Sequence, residues 1–333
     1  MINPWIQFII SAALIVWAGS RLTRSAAVIA ENTGIGTAWA GALLLPLATS
    51  LPELVTTLRA VMIDIPDLAV GNIFGSCLFN LSLLAVIDLV QGRGPLTSRV
   101  STGHTLTASL SIITLSLALL AMQGLLIFPV GFIGLESIGI AAVYIFGSRF
   151  LFNYEKGKIK KPGPDLPVVH RGKVGSSTRS AIAQFTLAAA LIVVAGVFVT
   201  DASDLIALET GLGHSFVGTI FLAISTSLPE TVTTITAVRL GYLDMAVANV
   251  FGANLMNLFI IFLADLLYLG GPILAVVSAG HIFSALTVVL LSAIVIFGIN
   301  YRSSFSLGGI GLDALLVLSG YLMAVYVLFS ASG

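Results

Sequence analysis

Charged residues are scarce in this chain. Only 9% of its 333 residues are Asp, Glu, Lys or Arg, whereas 57% are hydrophobic. Ordinary soluble domains carry charge on about a quarter of their residues, so this composition excludes a soluble globular protein. It predicts a multi-pass protein of the cell membrane, with the lipid bilayer as its main partner. The formal net charge is zero, which argues against a nucleic-acid partner, and no obligatory protein partner is evident.

Cysteine is almost absent as well. The one cysteine, Cys77, excludes an intramolecular disulfide and a cysteine metal cluster. The sequence also lacks histidine and glutamate at metal-binding spacing, and it lacks a nucleophile placed beside a base. We therefore expect neither an enzyme nor a resident cofactor.

Long apolar windows separated by glycine, proline or charge make up most of the chain. Each is close to the ~20 residues that a helix needs to cross a bilayer. The first window is followed by Arg21 and Arg24 and lacks a basic segment before it, so we interpret it as a span rather than a signal peptide. The windows predict an all-α membrane protein with ten transmembrane helices at 5–22, 36–61, 67–91, 103–123, 128–148, 180–200, 213–238, 244–268, 280–300 and 309–329.

Lysine and arginine follow the odd-numbered spans. They occur after spans one, three, five, seven and nine, with the largest group between Arg149 and Arg179, and only Arg59 lies toward the other side. Cytoplasmic loops retain such residues. This predicts a cytoplasmic linker at 149–179 and both termini outside.

The sequence repeats itself with a displacement of 177 residues, the distance from Glu53 to Glu230. Between Thr49 and Leu81, 19 of 33 positions are identical to their counterparts. The repeat divides the chain into a first repeat at 1–148 (spans one to five) and a second at 180–333 (spans six to ten). Because five spans is an odd number, the two repeats must be inverted in the membrane, an architecture typical of secondary transporters.

The strongest match within the repeat lies inside a span. Thr49-Ser50-Leu51-Pro52-Glu53 recurs as Thr226-Ser227-Leu228-Pro229-Glu230. Each proline lacks the N–H that a helix needs, so spans two and seven should kink or unwind there. A carboxylate at membrane depth is costly and indicates function, and each copy surrounds it with hydroxyls and backbone oxygens. Threonines 56, 57, 233 and 234 are equally well explained as back-bonded to their helices.

The following spans supply amides. Asn72, Ser76 and Asn80 share one helix face, and the second copy keeps Asn249 and Asn257. Hydrogen bonding between helices is the alternative explanation for these amides, above all for Asn72 and Asn249. The donors are all oxygen, which suits Ca²⁺ or Na⁺ better than zinc or copper. Two ionised glutamates would balance one Ca²⁺ or two monovalent cations.

These paired motifs, together with Gly71-Asn72-Ile73-Phe74-Gly75-Ser76 and Ala248-Asn249-Val250-Phe251-Gly252-Ala253-Asn254, resemble the sodium/calcium exchangers of the cation/calcium exchanger superfamily. The resemblance covers essentially the whole chain. It implies an ion-binding core of spans two, three, seven and eight, crossed by long tilted spans one and six. It also implies cation ligands at Thr49, Ser50, Glu53, Ser76, Asn80, Ala223 (through its carbonyl), Thr226, Ser227, Glu230 and Asn257.

Three positions depart from the family pattern. Asn80 and Asn257 are both amides where relatives often have one carboxylate. Cys77 stands where the motif usually has asparagine, and Ala253 removes one hydroxyl. These departures bear on ion stoichiometry rather than on the fold.

The function that we predict is secondary active antiport of Ca²⁺ against Na⁺ by alternating access. Exchange of Ca²⁺, or of another divalent cation, for H⁺ is the alternative, and a cation channel fits an inverted repeat less well. His104 and His281 are counterparts that we expect to be interfacial caps, with proton coupling as the second interpretation. Glu136 and Asp313 lie in the first turns of spans five and ten, where we expect a structural role.

Overall fold

The computed structural model describes residues 3–92, 94–126, 129–130, 132–160, 177–209 and 224–332. The chain is predominantly helical, as expected for an all-α membrane protein. Within the described ranges, eight helices are long and apolar enough to cross a membrane, and a ninth crossing results if one bent pair of helices counts as a single span.

The helices follow one another with short connections. In chain order they are α1 Pro4–Thr33, α2 Thr37–Trp39, α3 Leu45–Thr49, α4 Leu51–Met62, α5 Pro66–Gln91, α6 His104–Met122, α7 Leu135–Lys160, α8 Thr178–Glu209, the helical residues 224–226 (α9), α10 Leu228–Arg239, α11 Leu243–Leu267, α12 Ile273–Val276, α13 Gly280–Tyr301 and α14 Leu312–Ser332. A π-helical turn, Ala40–Leu44, joins α2 to α3, and a 3₁₀ turn, Leu96–Ser98, precedes α6.

Two short β-hairpins precede α7 and α14. Strand β1 (Pro129–Val130) pairs with β2 (Ile133–Gly134), and β3 (Ser306–Leu307) pairs with β4 (Ile310–Gly311). The hairpins are counterparts under the 177-residue displacement. The predicted fifth span, 128–148, includes both strands of the first hairpin, which is why α7 starts later than expected, at Leu135.

Helices α1, α7 and α8 are longer than the spans predicted for them. The sequence places the end of span one before Arg24, but α1 continues to Thr33 because Ala26, Ala27 and Ala30 are buried, and it ends at left-handed Gly34. Helix α7 runs through Lys160, so it contains residues 149–160 that the sequence analysis gave to the linker. The division into two repeats remains a prediction. Of the predicted seventh span, residues 213–223 lie outside the described part.

Helices α5 and α11 form the centre of the molecule. In each, 72% of the most apolar stretch is buried, against 17–44% in the other six candidate spans. The long helices α1 and α8 pack along each other at the side and cross the site-bearing helices. At one crossing a Cβ on Gly196 would lie 2.5 Å from Pro52 Cγ, so only glycine permits the approach.

A second close approach connects α11 to the π-helical turn. Pro46 has no N–H for the Ala42 carbonyl, which accounts for the change of helical geometry just before it. A Cβ on Gly252 would lie 2.2 Å from the Ala42 carbonyl oxygen. Backbone therefore packs directly on backbone beside the broken span.

Two buried aspartates join the two halves of the chain through backbone N–H groups. Asp88 accepts hydrogen bonds from Leu96 N at 2.7 Å and Gly311 N at 2.6 Å. Its counterpart Asp265 does the same with Ile273 N at 2.6 Å and Gly134 N at 2.8 Å. Both carboxylates are fully buried. Each aspartate thus attaches the end of a central helix to the hairpin of the opposite half.

These contacts predict that Asp88→Asn destabilises the protein. An amide has one oxygen where the carboxylate offers two, and its NH₂ group would face a backbone donor. Each hydrogen bond to a charged group contributes about 1.5–3 kcal/mol, so the melting temperature of the detergent-purified protein should fall by several degrees.

Asp201→Asn is the matched control for this change. Asp201 pairs with Arg59 at 3.2 Å, but the side chains are 43% and 71% exposed, and solvent-exposed pairs contribute little. Equal melting temperatures for the Asp88 variant and the wild type would contradict the structural role of Asp88.

Candidate cation site

The two spans with repeated motifs are interrupted where the sequence predicts. Helix α3 ends at Thr49 and α4 begins at Leu51, with Ser50 between them at φ −83° and ψ 9° and a bend of 44°. In the second copy Ser227 has φ −85° and ψ 10° and precedes α10. The prolines explain both breaks, since neither Pro52 nor Pro229 can donate to the carbonyl four residues before it.

Each break creates a new helix N-terminus inside the apolar core, and each glutamate lies in the first turn of that new helix. Glu53 is 0% exposed and Glu230 is 1% exposed. The partial positive charge of a helix N-terminus favours an anionic group there. Local backbone geometry therefore offsets part of the cost of burying the two carboxylates.

Each glutamate carboxylate accepts a hydrogen bond from the serine of the other copy of the motif. Ser50 donates to Glu230 Oε1 at 3.1 Å, and Ser227 donates to Glu53 Oε1 at 3.0 Å. Each serine thus binds the glutamate of the other half. The crossed pair brings Glu53 and Glu230 into one cluster, which is consistent with the expectation that both belong to one cation site.

Oxygen atoms remain available around the pair. Buried oxygen atoms of five site residues have no hydrogen-bond partner among the described residues: Glu53 Oε2, Glu230 Oε2, Ser76 Oγ, Asn80 Oδ1 and Asn257 Oδ1. Asn257 Nδ2 likewise lacks one. Buried polar atoms are nearly always hydrogen-bonded, so a concentration of exceptions requires a ligand or a function.

The remaining predicted ligands have different surroundings. Thr49 and Thr226 are fully buried, and the Thr49 hydroxyl donates to Leu45 O at 3.2 Å, which leaves its lone pairs for another group. Ser76 lies close to the Glu53 carboxylate. Ala223, predicted to contribute a carbonyl, falls outside the described residues.

Asn72 and Asn249, which lie near the starts of the two central helices, bind neighbouring helices through their amide groups. Asn72 Nδ2 donates to Thr57 at 3.3 Å, and Asn249 Nδ2 donates to Thr233 and Thr234 at 3.1 and 2.9 Å. The bond to the preceding helix favours the helix-packing interpretation over direct ligation for Asn72 and Asn249.

The two conspicuous histidines lie at helix starts and not in this cluster. His104 Nε2 is 2.7 Å from Asp244 Oδ1, and His281 Nε2 is 2.9 Å from Asp67 Oδ1. Each histidine thus pairs with an aspartate of the opposite half. The pairing fits the interfacial, structural interpretation, while a role in proton coupling stays untested.

Glu136 and Asp313 lie in first turns, as expected. Glu136 is buried, and neither of its oxygens has a hydrogen-bond partner in the described part of the chain. It lies beside Asp265, away from the crossed glutamates.

The sequence matches that of a known protein family. Residues 3–152 and 180–331 match the family described as sodium/calcium exchanger protein. The chain belongs to the sodium/calcium exchanger family. Both blocks of this exchanger sequence contain one copy of the proline-glutamate motif.

The chain is also similar to individual proteins of other organisms and to a solved structure. It is 29% identical over 261 residues to inner membrane protein YrbG of Escherichia coli, with 76% of each protein covered. It is 39% identical over 75 residues to sodium/calcium exchanger MaX1 of Methanosarcina acetivorans, covering 22% of this chain and 21% of the relative. A structure of the sodium-calcium exchanger NCX_Mj, soaked with 2.5 mM Na⁺ and 0.1 mM Ca²⁺, has the same fold, with a TM-score of 0.74, 19% identity and 98% of each chain covered.

The sequence analysis of the exchanger missed one feature of the site. Asn254 is fully buried and receives a hydrogen bond from Asn80 Nδ2 at 3.1 Å. The signal was available, because Asn254 is the counterpart of Cys77 and the repeat is unequal there.

The available oxygens predict that Ca²⁺ stabilises the purified exchanger. A ligand that binds only the folded state at 100 times its Kd contributes about 2.7 kcal/mol, which should raise the melting temperature measurably. Glu53→Gln should abolish the Ca²⁺-dependent rise, since it removes a charge from the cluster.

Glu136→Gln is the control for this change, because Glu136 is also a buried carboxylate with unpartnered oxygens among the described residues. It should keep the full Ca²⁺-dependent rise. A rise that survives in the Glu53 variant would place the bound cation elsewhere.

Proposed function

We propose that the chain is an antiporter that moves Ca²⁺ across the membrane in exchange for Na⁺ by alternating access. The observation that carries the proposal is the crossed pair of bonds from Ser50 to Glu230 and from Ser227 to Glu53. This pair gathers two buried carboxylates and several oxygens without hydrogen-bond partners in the described structure. Such a site suits hard cations.

Charge explains why the site exchanges ions rather than leaking them. Two bare carboxylates in apolar surroundings carry a large desolvation penalty, and their mutual repulsion adds to it. The penalty is relieved when one Ca²⁺ or two Na⁺ neutralise the pair. The site therefore changes sides in a loaded form, which couples the movement of one cation to the return of the other.

The ligands that we propose include residues from both halves. Glu53 and Glu230 supply charge, and the hydroxyls and amides supply neutral oxygens. The full set is Thr49, Ser50, Glu53, Ser76, Asn80, Ala223, Thr226, Ser227, Glu230 and Asn257. Support for the neutral ligands comes from the unpartnered Oγ of Ser76 and Oδ1 of Asn80 and Asn257 within the described residues.

The architecture that we propose is ten spans in two inverted repeats. Its support is that contacts recur when each residue is replaced by its counterpart 177 positions away. Ser50 with Glu230 becomes Ser227 with Glu53, and Asp67 with His281 becomes Asp244 with His104. Reciprocal contacts of this kind are expected from a two-fold relation between halves, and five spans per half place that axis in the membrane plane.

The orientation that we propose has a cytoplasmic linker at 149–179 and both termini outside. The excess of lysine and arginine after odd-numbered spans supports it. The exception, Arg59, forms an ion pair with Asp201, which follows span six and so lies on the side proposed to face outward.

Flux measurements in proteoliposomes test the function. An outward Na⁺ gradient should drive uptake of radioactive Ca²⁺, whereas H⁺ or K⁺ gradients should not. Glu53→Gln and Glu230→Gln should each abolish the uptake, because a site with one charge cannot balance a divalent ion.

Glu136→Gln should retain Na⁺-driven uptake at the rate of the wild type. Uptake driven equally well by a proton gradient would make H⁺ the counter-ion. Near-normal flux in both glutamine variants of the site would show that Glu53 and Glu230 are not the ligands.

Sidedness is tested by single cysteines, because native Cys77 is fully buried. Lys156→Cys, near the end of α7, should react with an impermeant maleimide only from the cytoplasm. Met62→Cys, 79% exposed at the end of α4, should react from outside. The reverse pattern in intact cells and inside-out vesicles would overturn the orientation.

A further inference from the structure

We propose that Asn254 is a positioning residue that turns the side-chain oxygen of Asn80 toward the transported cation. We further propose that Cys77 leaves Asn257, the counterpart of Asn80, without the same restraint. The inference rests on the proposed cation site. It concerns residues at the centre of the molecule, where α5 and α11 cross and where counterparts in the repeat touch each other.

Cys77 and Asn254 are such counterparts, and they contact each other across the crossing. Asn254 Nδ2 donates to the Cys77 carbonyl at 3.2 Å, and Cys77 Sγ is 3.9 Å from the Asn254 carbonyl. Asn80 Nδ2 donates to Asn254 Oδ1 at 3.1 Å. All three residues are 0% exposed. The three residues therefore contact one another directly.

The backbone carbonyl fixes the polarity of this chain of bonds. A carbonyl only accepts, so Asn254 must present its NH₂ group to Cys77 O. The oxygen of Asn254 then faces Asn80, which must in turn present its own NH₂ group. Asn80 Oδ1 is thereby left pointing away from Asn254, without a partner among the described residues. That oxygen is a fixed acceptor for a cation.

The other half lacks the equivalent restraint. An asparagine at position 77 could offer its oxygen to Asn257, as Asn254 does to Asn80. The Cys77 thiol lies beside the Asn257 side chain, but a thiol is only a weak donor and acceptor. Neither Oδ1 nor Nδ2 of Asn257 has a conventional hydrogen-bond partner within the described structure. The two proposed amide ligands are therefore unequal, because a direct amide hydrogen bond holds Asn80 whereas Asn257 faces only a thiol.

This inequality predicts how Ca²⁺ affinity responds to changes at the crossing. Asn254→Cys removes the restraint on Asn80 and should weaken Ca²⁺ binding about tenfold, the equivalent of one buried hydrogen bond. Cys77→Asn should tighten binding by restraining Asn257. The exchange of both residues, Cys77→Asn with Asn254→Cys, should restore affinity near that of the wild type, because the restraint then acts on the other amide.

The decisive experiment is a double-mutant cycle on equilibrium Ca²⁺ binding, measured with the purified full chain by calorimetric titration. If Asn254 acts through Asn80, then Asn254→Cys should change the affinity of the wild type but not that of an Asn80→Ala background. In an Asn257→Ala background its full effect should persist. A general loss of packing would weaken binding equally in all three backgrounds and would overturn the proposal.

The double variant, Cys77→Asn with Asn254→Cys, controls for poor folding of the single variant, because its Ca²⁺ affinity should return to that of the wild type. Should Asn254→Cys fail to fold, the gain of affinity expected for Cys77→Asn alone decides the matter, and unchanged affinity overturns the proposal. Binding and transport fail separately. Wild-type protein that binds Ca²⁺ without Na⁺-driven uptake refutes the proposed exchange but leaves this test intact, whereas protein that binds no Ca²⁺ refutes both.

Discussion

The constraint on which this structure depends is the burial of two carboxylates side by side in an apolar protein. Glu53 and Glu230 are 0% and 1% exposed, and each is stabilised by the N-terminus of its own helix and by a serine of the other half. These contacts supply dipoles and hydrogen bonds but no positive charge. The compensation is therefore incomplete. The helix breaks follow from Pro52 and Pro229, whereas the crossed serines and the unpartnered oxygens are the features on which the proposed cation site rests.

Polar contacts between the halves occur at three levels of the molecule. The crossed serines lie at the centre, and the Asp88 and Asp265 contacts to the hairpins lie at the two ends of the central helices. The histidine-aspartate pairs join the starts of α5 and α11 to those of α13 and α6. The long helices α1 and α8 meet the site helices through close approaches such as that of Gly196 to Pro52 and through hydrogen bonds such as that from the Thr23 hydroxyl to the Thr233 carbonyl at 3.3 Å.

Sequence patterns predicted the elements better than their boundaries and partners. Proline and glutamate in an apolar run were sufficient to locate the breaks at Ser50 and Ser227, because a missing N–H acts locally. The extension of α1 past Arg24 was not predictable, since it depends on the burial of Ala26 and Ala30 against other helices. The backbone acceptor role of Asp88 was missed for the same reason: one of its donors, Gly311, lies 223 residues farther along the chain. A sequence pattern does not identify the distant residue that a side chain contacts in the folded protein.

Departures from the repeat carry information that the repeat itself does not. Glutamate is present in both copies, so the charge of the site is symmetric, and the amides Asn80 and Asn257 add none. One divalent or two monovalent cations balance that charge. The uncharged residues in and beside the proposed site differ instead, with Ser76 opposite Ala253 and Cys77 opposite Asn254. A third monovalent cation in the proposed site would leave net positive charge in apolar surroundings. The asymmetry therefore falls on uncharged residues, whereas the carboxylates that would set the total charge of the site are the same in both copies.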